Sequence, residues 1–155
     1  MPAILNWRIE MKTKILLSAL FVFALLVSAC GAATPAASGG PAVVDVGQNA
    51  TLGSFLVDSK GMTLYLFTQD TPNTSNCYSA CASAWPPLLT SGAPTAGASV
   101  TASMLGTTKR TDGTTQVTYN GWPLYYWKND SKPGDVTGEN VQGVWFVITP
   151  AGTKK

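Results

Sequence analysis

The chain has 155 residues, no histidine and a formal net charge of +2 at pH 7. Histidine is the usual general base near neutral pH and the commonest transition-metal ligand, so Ser-His-Asp catalysis, Cys-His catalysis and histidine-based metal sites are excluded. After Cys30, seven Lys or Arg residues balance seven Asp or Glu residues without a basic cluster, so we expect no nucleic-acid partner.

Residues 1–29 are typical of a secretory signal. Two lysines precede an apolar run over residues 15–27, and two small residues follow it. The run is shorter than the roughly 20 residues that a membrane-spanning helix needs. Met11 begins a more typical signal than Met1 does, so residues 1–10 are interpreted as an upstream extension or a misassigned start.

The signal ends in Val-Ser-Ala-Cys, which resembles the bacterial lipobox. The resemblance implies that Cys30 carries fatty acyl chains such as palmitate and anchors the protein to a membrane of the cell envelope. The alternative is an ordinary signal with an incidental cysteine. Residues 30–41 are nearly all Gly, Ala, Ser, Thr and Pro after the cysteine and are expected to form a flexible tether. The folded domain is predicted over residues 42–153.

Strand patterns dominate the first half of that domain. Residues 43–46 are a candidate strand, and residues 51–58 and 62–68 are rich in Leu, Val, Phe and Tyr. Ser-Lys-Gly separates the last two, which predicts a hairpin with Gly61 at positive φ.

Helix signals are scarce and short. Asn76 is predicted to cap a short helix through Ala84, which the two following prolines must end. Residues 91–98 are interpreted as a link between two halves, and residues 99–105 as a second short helix.

The second half repeats the strand pattern. Residues 114–119 and 122–127 flank Asn120-Gly121, a strong hairpin signal, and residues 144–149 form a continuous apolar strand pattern. The fold class is therefore predicted as mainly β, an antiparallel sheet domain built from two divergent hairpin repeats with one or two short helices, the two units packing face to face or side by side.

The two halves match each other at an offset of sixty residues. Without a gap, the match runs from Gly53 and Gly113 to Trp85 and Trp145. Repeat one covers about residues 51–90 and repeat two about residues 111–150. The recurring residues are a tyrosine, a second aromatic residue and an aspartate: Tyr65, Phe67 and Asp70, then Tyr125, Trp127 and Asp130. Equivalent positions are expected to have equivalent roles.

This pattern resembles the bacterial secreted-repeat lipoproteins defined by a Tyr-x-aromatic-x-x-Asp motif. The resemblance extends through Asn-Cys-Tyr-x-x-Cys-Ala at 76–82, Trp-Pro-Pro-Leu at 85–88 and the segment from Asp112-Gly113 to Pro133-Gly134. It covers roughly residues 53–150. It implies an envelope lipoprotein and no particular activity.

Two interpretations of the motif stay open. In one, the aromatic residues belong to the core and each aspartate clamps a turn by accepting backbone N–H bonds. In the other, two equivalent pockets with aromatic walls and one carboxylate bind a sugar, a peptide or a small cation. A catalytic carboxylate pair between Asp70 and Asp130 is a third, weaker hypothesis.

Cys77 and Cys81 are the remaining thiols if Cys30 is lipidated. Export favours a disulfide between them. The alternatives are thiol redox exchange and copper handling with Met62 or Met104 as soft ligands.

We expect a binding or interaction module, not an enzyme, with no cofactor and no metal. The partner is an unknown envelope protein or a small ligand. The candidate contact residues are surface aromatics: Tyr78, Trp85, Trp122 and Tyr126.

Overall fold

The computed structural model describes residues 39–155. The predicted signal, the lipidation of Cys30 and most of the tether fall outside the described residues. Within residues 39–155, no helix has the length and apolar character needed to cross a membrane.

The domain is mainly β, which confirms the predicted fold class. One α-helix, α1, covers Ala80–Ala84, and two 3₁₀ turns cover Ala102–Met104 and Val141–Gly143. The strands are β1 Val43–Asn49, β2 Gly53–Asp58, β3 Tyr65–Phe67, β4 Thr95–Ala96, β5 Leu105–Lys109, β6 Thr115–Tyr119, β7 Trp122–Pro123 and β8 Trp145–Val147.

These strands form three small sheets with the orders β2-β1-β4, β3-β8 and β5-β6-β7. Their pairings are antiparallel except that β4 lies parallel to β1. Isolated bridges join the sheets, among them Tyr65 with Tyr125 and Leu89 with Gln116. The short strands are thus joined into one continuous network of backbone pairings.

Both predicted turns contain residues at positive φ, as their sequences require. Gly61 has a φ of 79°, and Asn120 and Gly121 have φ values of 49° and 81°. The left-handed pair in the second turn matches a two-residue hairpin loop that follows the twist of its strands.

The two turns differ in length, and this shifts the repeat by one residue. Leu64 N–H donates to Leu56 O at 2.9 Å, whereas Leu124 N–H donates to Val117 O at 3.0 Å. The offset is therefore sixty residues at the second strand of each hairpin and sixty-one at the first. The gap-free match back to Gly53 and Gly113 is wrong at this point, because the first turn contains one extra residue.

The two repeats are interleaved. Strand β3 of the first copy pairs with β8 of the second copy. Tyr65 and Tyr125 exchange backbone hydrogen bonds of 2.8 Å and 3.0 Å, which places an approximate two-fold axis between them. The copies thus share strand pairs across their boundary, beyond simple face-to-face or side-by-side packing.

Alternate residues of the motif strands face two different apolar clusters, as strand geometry requires. The first cluster contains Leu64, Leu66 and Leu124 with residues from β1, β2 and β6. The second cluster is aromatic and contains Tyr65 and Tyr125.

Three element predictions need correction. Ser79 is the N-cap residue of α1, and Asn76 instead donates its side-chain amide to Gln69 O at 2.6 Å. In place of the predicted second helix, residues 99–105 contain the 3₁₀ turn Ala102–Met104 and the first residue of β5. Strand β5 was missed because its Leu-Gly-Thr-Thr-Lys sequence has a single large apolar residue.

Candidate functional site

Each motif tyrosine donates its hydroxyl to the aspartate of the other copy. Tyr65 Oη lies 2.6 Å from Asp130 Oδ2, and Tyr125 Oη lies 2.7 Å from Asp70 Oδ2. Both tyrosines are fully buried, and the exposed fractions of Asp70 and Asp130 are 5% and 8%. The site is thus a pair of equivalent buried hydrogen bonds that tie the two repeats together.

The other oxygen of each carboxylate accepts a bond from the turn that follows its strand. Asp70 Oδ1 accepts the N–H of Asn76 at 2.7 Å. Asp130 Oδ1 accepts the N–H of Thr137 at 3.0 Å and its hydroxyl at 2.6 Å. These bonds match the turn-clamp interpretation. They also contradict the hypothesis of a catalytic carboxylate pair, because all four oxygens are engaged within the fold.

The pKa shifts follow from burial. Burial raises the pKa of Asp70 above its ordinary value, although Tyr125, Asn76 and the nearby Arg110 favour its charged form. Burial also raises the pKa of Tyr65 and Tyr125 well above the usual value, and the neighbouring carboxylates add to the rise. The raised pKa values favour the protonated phenols that donate these hydrogen bonds.

A buried arginine beside one of these pairs was not predicted from the sequence. The Arg110 guanidinium donates to Ser75 Oγ at 2.8 Å, to Gln116 Oε1 at 2.7 Å and to Cys77 O at 2.7 Å. It also lies 4.4 Å from the centroid of the Tyr78 ring. Its one signal in the sequence is its residue type: after Cys30 the other six cations are lysines, and arginine is the cation that buried polar networks favour.

The network is asymmetric around the two-fold axis. Ser75 Oγ also lies 2.7 Å from Tyr125 Oη, whose one proton is donated to Asp70, so Arg110 is connected to the Asp70 pair through one serine. Asp130 instead accepts hydrogen bonds from Tyr65 and Thr137. The Tyr125–Asp70 pair is therefore supported by a buried cation, and the Tyr65–Asp130 pair by a threonine.

Four aromatic rings, two from each repeat, form one stacked column. Trp85 and Trp145, equivalent in the two repeats, stack with centroids 3.9 Å apart. Phe67 stacks on Trp145 and Trp127 stacks on Trp85, each at 4.1 Å. Trp85 is only 4% exposed, so its prediction as a surface aromatic is wrong. It is a core residue because its partners come from both copies.

The other predicted surface aromatics, Tyr78, Trp122 and Tyr126, are half-buried. Tyr78 packs under Arg110 and accepts the N–H of Thr111 at 3.2 Å. Tyr126 donates its hydroxyl to Asp58 Oδ2 at 3.1 Å. Each of these three rings thus offers only part of its surface to a ligand.

Cys77 and Cys81 form a disulfide, with their Cα atoms 5.2 Å apart. Cys77 is fully buried in the aromatic cluster, and Cys81 is half-buried beside it. Met104 packs against the other cluster, so the soft ligands of the copper hypothesis are not brought together. Within residues 39–155, no group of three or more His, Cys, Asp or Glu side chains is placed to hold a metal ion.

An open cavity of about 390 Å³ lies where the chain enters the domain. Its walls are the entering segment Gly39–Val43, the turn Asp58–Lys60 and the segment Pro87–Leu89, with Tyr126 beside them. No sequence pattern predicted it, because its walls come from three distant parts of the chain.

The repeated pattern and the disulfide agree with the one comparison that matches, and so does the predicted export signal. A family model described as a secreted repeat of unknown function matches residues 48–89 and again residues 106–149. The chain belongs to this secreted-repeat family. Membership confirms the resemblance seen in the sequence and indicates an exported protein. No curated protein and no solved structure matches the chain significantly.

Each family match contains one motif tyrosine and one motif aspartate, so the cross-repeat pairs join one secreted repeat to the next. The family description attaches no activity to these residues. A function must therefore be argued from the geometry of this chain.

Proposed function

We propose that the protein is anchored to the cell envelope by a lipid on Cys30 and acts as a binding module. The observation that carries the binding role is the open cavity beside Gly39–Val43. Concave sites with a few polar groups are where proteins usually bind ligands. The motif residues instead satisfy one another inside the fold.

The cavity combines apolar and polar walls. Pro87, Leu88 and Leu89 supply apolar surface, and Asp58, Lys60 and Tyr126 supply polar atoms. Asp58 already accepts bonds from Lys60 N–H at 2.8 Å, Met62 N–H at 2.9 Å and the Tyr126 hydroxyl. The exposed ammonium of Lys60 therefore remains as the flexible polar group at the opening.

The lipid anchor is tested by metabolic labelling with an alkyne-bearing palmitate. The parent protein is expected to take up the label and to sediment with membranes, and Cys30→Ser is expected to lose both properties. The matched control is Cys81→Ser, which removes a different cysteine and leaves the predicted acylation site intact. An unlabelled parent protein in the soluble fraction would contradict the anchor.

The binding role is tested by site-specific photo-crosslinking in living cells. A photoreactive residue at the exposed Ser59, beside the cavity, is compared with one at the exposed Thr111, which does not line it. We expect a discrete adduct from position 59 alone. Equal adducts from both positions, or none from either, would argue against the cavity as the binding surface.

A redox role for the disulfide is the second candidate function. The observation in its favour is the unequal burial of Cys81 and Cys77, because an incoming thiolate meets the more exposed sulfur first. Equilibration with glutathione buffers tests it. A disulfide that is reduced only under strongly reducing conditions supports a structural bridge. A disulfide whose reduction potential is close to that of the envelope supports redox exchange.

A further inference from the structure

We propose that the segment Pro87–Leu89 binds an extended peptide of a partner protein, which adds to it as a strand. The inference rests on the proposed binding role and assigns its ligand class. It is carried by a comparison of this segment with its equivalent in the second repeat, Val147–Thr149.

In the second repeat, the protein covers this edge with its own C-terminal residues. Lys155 N–H donates to Val147 O at 3.1 Å, and Thr149 N–H donates to Thr153 O at 2.8 Å. An isolated antiparallel bridge joins Ile148 to Lys154. The tail is therefore a short added strand.

In the first repeat, the inner side of the segment is bonded in the same way. Val117 N–H donates to Leu88 O at 2.9 Å, just as Leu56 N–H donates to Ile148 O at 2.9 Å. Leu88 N–H donates to Leu124 O at 2.9 Å. The two segments thus occupy equivalent places in the fold.

The outer side differs. Among residues 39–155, Pro87 C=O and Leu89 N–H have no hydrogen-bond partner, although their equivalents at Val147 and Thr149 are both bonded to the tail. Pro87 and Leu89 line the open cavity. A strand edge with a free acceptor and a free donor two residues apart is the pattern that strand addition requires.

The spacing identifies the ligand as a peptide. An extended peptide presents an N–H toward Pro87 C=O and a carbonyl toward Leu89 N–H, as Lys155 and Thr153 do on the equivalent edge. Sugars are less suited, because they bind through open aromatic faces and Tyr126 offers only part of its ring. The entering segment Gly39–Val43 forms the facing wall, which favours small side chains on the peptide.

The probe is a synthetic peptide with the sequence Ala-Gly-Thr-Lys-Lys of residues 151–155, because that segment covers the equivalent edge. It is titrated into the mature chain carrying Cys30→Ser, and amide chemical shifts and hydrogen exchange are followed. We expect a saturable shift at Leu89 and slower exchange of its N–H. The matched control is the same peptide N-methylated at its last residue, which removes the donor for Pro87 C=O. It should bind roughly two- to tenfold more weakly.

Leu89→Pro is the complementary variant, because it removes an N–H that has no partner among residues 39–155. Unchanged unfolding with loss of peptide binding supports the inference. If this variant does not fold, the N-methylated peptide still tests the inference, because equal binding of both peptides would overturn it. Amide chemical-shift changes confined to other parts of the domain would also overturn the inference.

Other occupants give distinct outcomes that overturn the proposal. A Leu89 amide already protected without peptide indicates that the chain itself fills the edge. Protection that rises with protein concentration indicates a second copy. A discrete crosslink from Ser59 in cells without any peptide binding leaves the binding module standing and rejects the peptide as its ligand.

Discussion

Tyr65 donates its hydroxyl to Asp130, sixty-five residues away, and the phenol is inaccessible to solvent in this arrangement. Tyr65→Phe leaves the buried carboxylate without that donor. We expect the free energy of unfolding to fall by roughly 1–3 kcal/mol, measured by urea denaturation. Tyr126→Phe is the control, because its bond to Asp58 is longer and half-buried, and it should cost less. Equal losses would contradict the role of the reciprocal pairs.

Arg110 is expected to be the most sensitive charged residue of the domain. Arg110→Met leaves Ser75, Gln116 and Cys77 O without their donor. Each buried neutral acceptor left without a donor costs about 1–3 kcal/mol, so the free energy of unfolding should fall by roughly 3 kcal/mol or more. The neighbouring Lys109→Met removes an exposed cation that bonds to the half-buried Thr115 and should change stability by less than about 0.5 kcal/mol. A small loss of stability in Arg110→Met would show that the network contributes little to the free energy of unfolding.

Gly138 is a buried glycine at which an added methyl group has no room. A Cβ atom there would lie 2.9 Å from Trp85 and 2.9 Å from Tyr65. We expect Gly138→Ala to lower the free energy of unfolding by about 1–3 kcal/mol through overpacking of the aromatic column. Gly39→Ala is the control, because its Cβ would meet no atom within 4 Å. Near-ultraviolet circular dichroism follows the column directly, and an unaltered spectrum would speak against this reason.

The raised pKa of Asp70 predicts a definite pH dependence. Above the ordinary value of 3.8, the folded carboxyl keeps a proton that the unfolded chain has released, so its contribution to stability falls as the pH rises. The stability of the parent minus that of Asp70→Asn should therefore decrease from pH 3.8 upward through the raised pKa. Urea unfolding across this range measures the difference. A difference that grows with pH would mean that the pKa is lowered.

The disulfide closes a small loop, so its removal should have a moderate effect. Replacing Cys77 and Cys81 together with alanine is expected to lower the free energy of unfolding by about 2 kcal/mol. The parent protein, unfolded with and without reductant, gives the matched measurement. A loss far above this value would indicate that the bridge also positions the aromatic cluster.

Part of this structure was predictable from the sequence. Strand alternation is enough to put Leu64 and Tyr65 on opposite faces, and Asn120-Gly121 predicted a hairpin, because both depend on local geometry. The pairing of β3 with β8 was not predictable, because periodicity indicates which face of a strand is buried and not which strand lies beside it.

The candidate site was less predictable than the fold. The recurring Tyr and Asp identified the residues of the site. That each tyrosine bonds the aspartate of the other repeat could not be predicted, because it depends on the position of the two-fold axis. Trp85 was wrongly predicted to lie at the surface and Arg110 was not predicted at all, because burial is a property of the assembled domain. The cavity depends on segments that meet only in the folded protein.

The tyrosine of each copy bonds the aspartate of the other copy, and this arrangement also indicates how the two-repeat chain arose. A chain with one copy would lack the aspartate that its tyrosine bonds here, and its strand β3 would lack the partner β8. Such a chain would complete its core only by pairing with a second molecule. The present protein is therefore equivalent to a symmetric dimer whose subunits have become joined, and separating its halves should yield fragments that fold only in each other's presence.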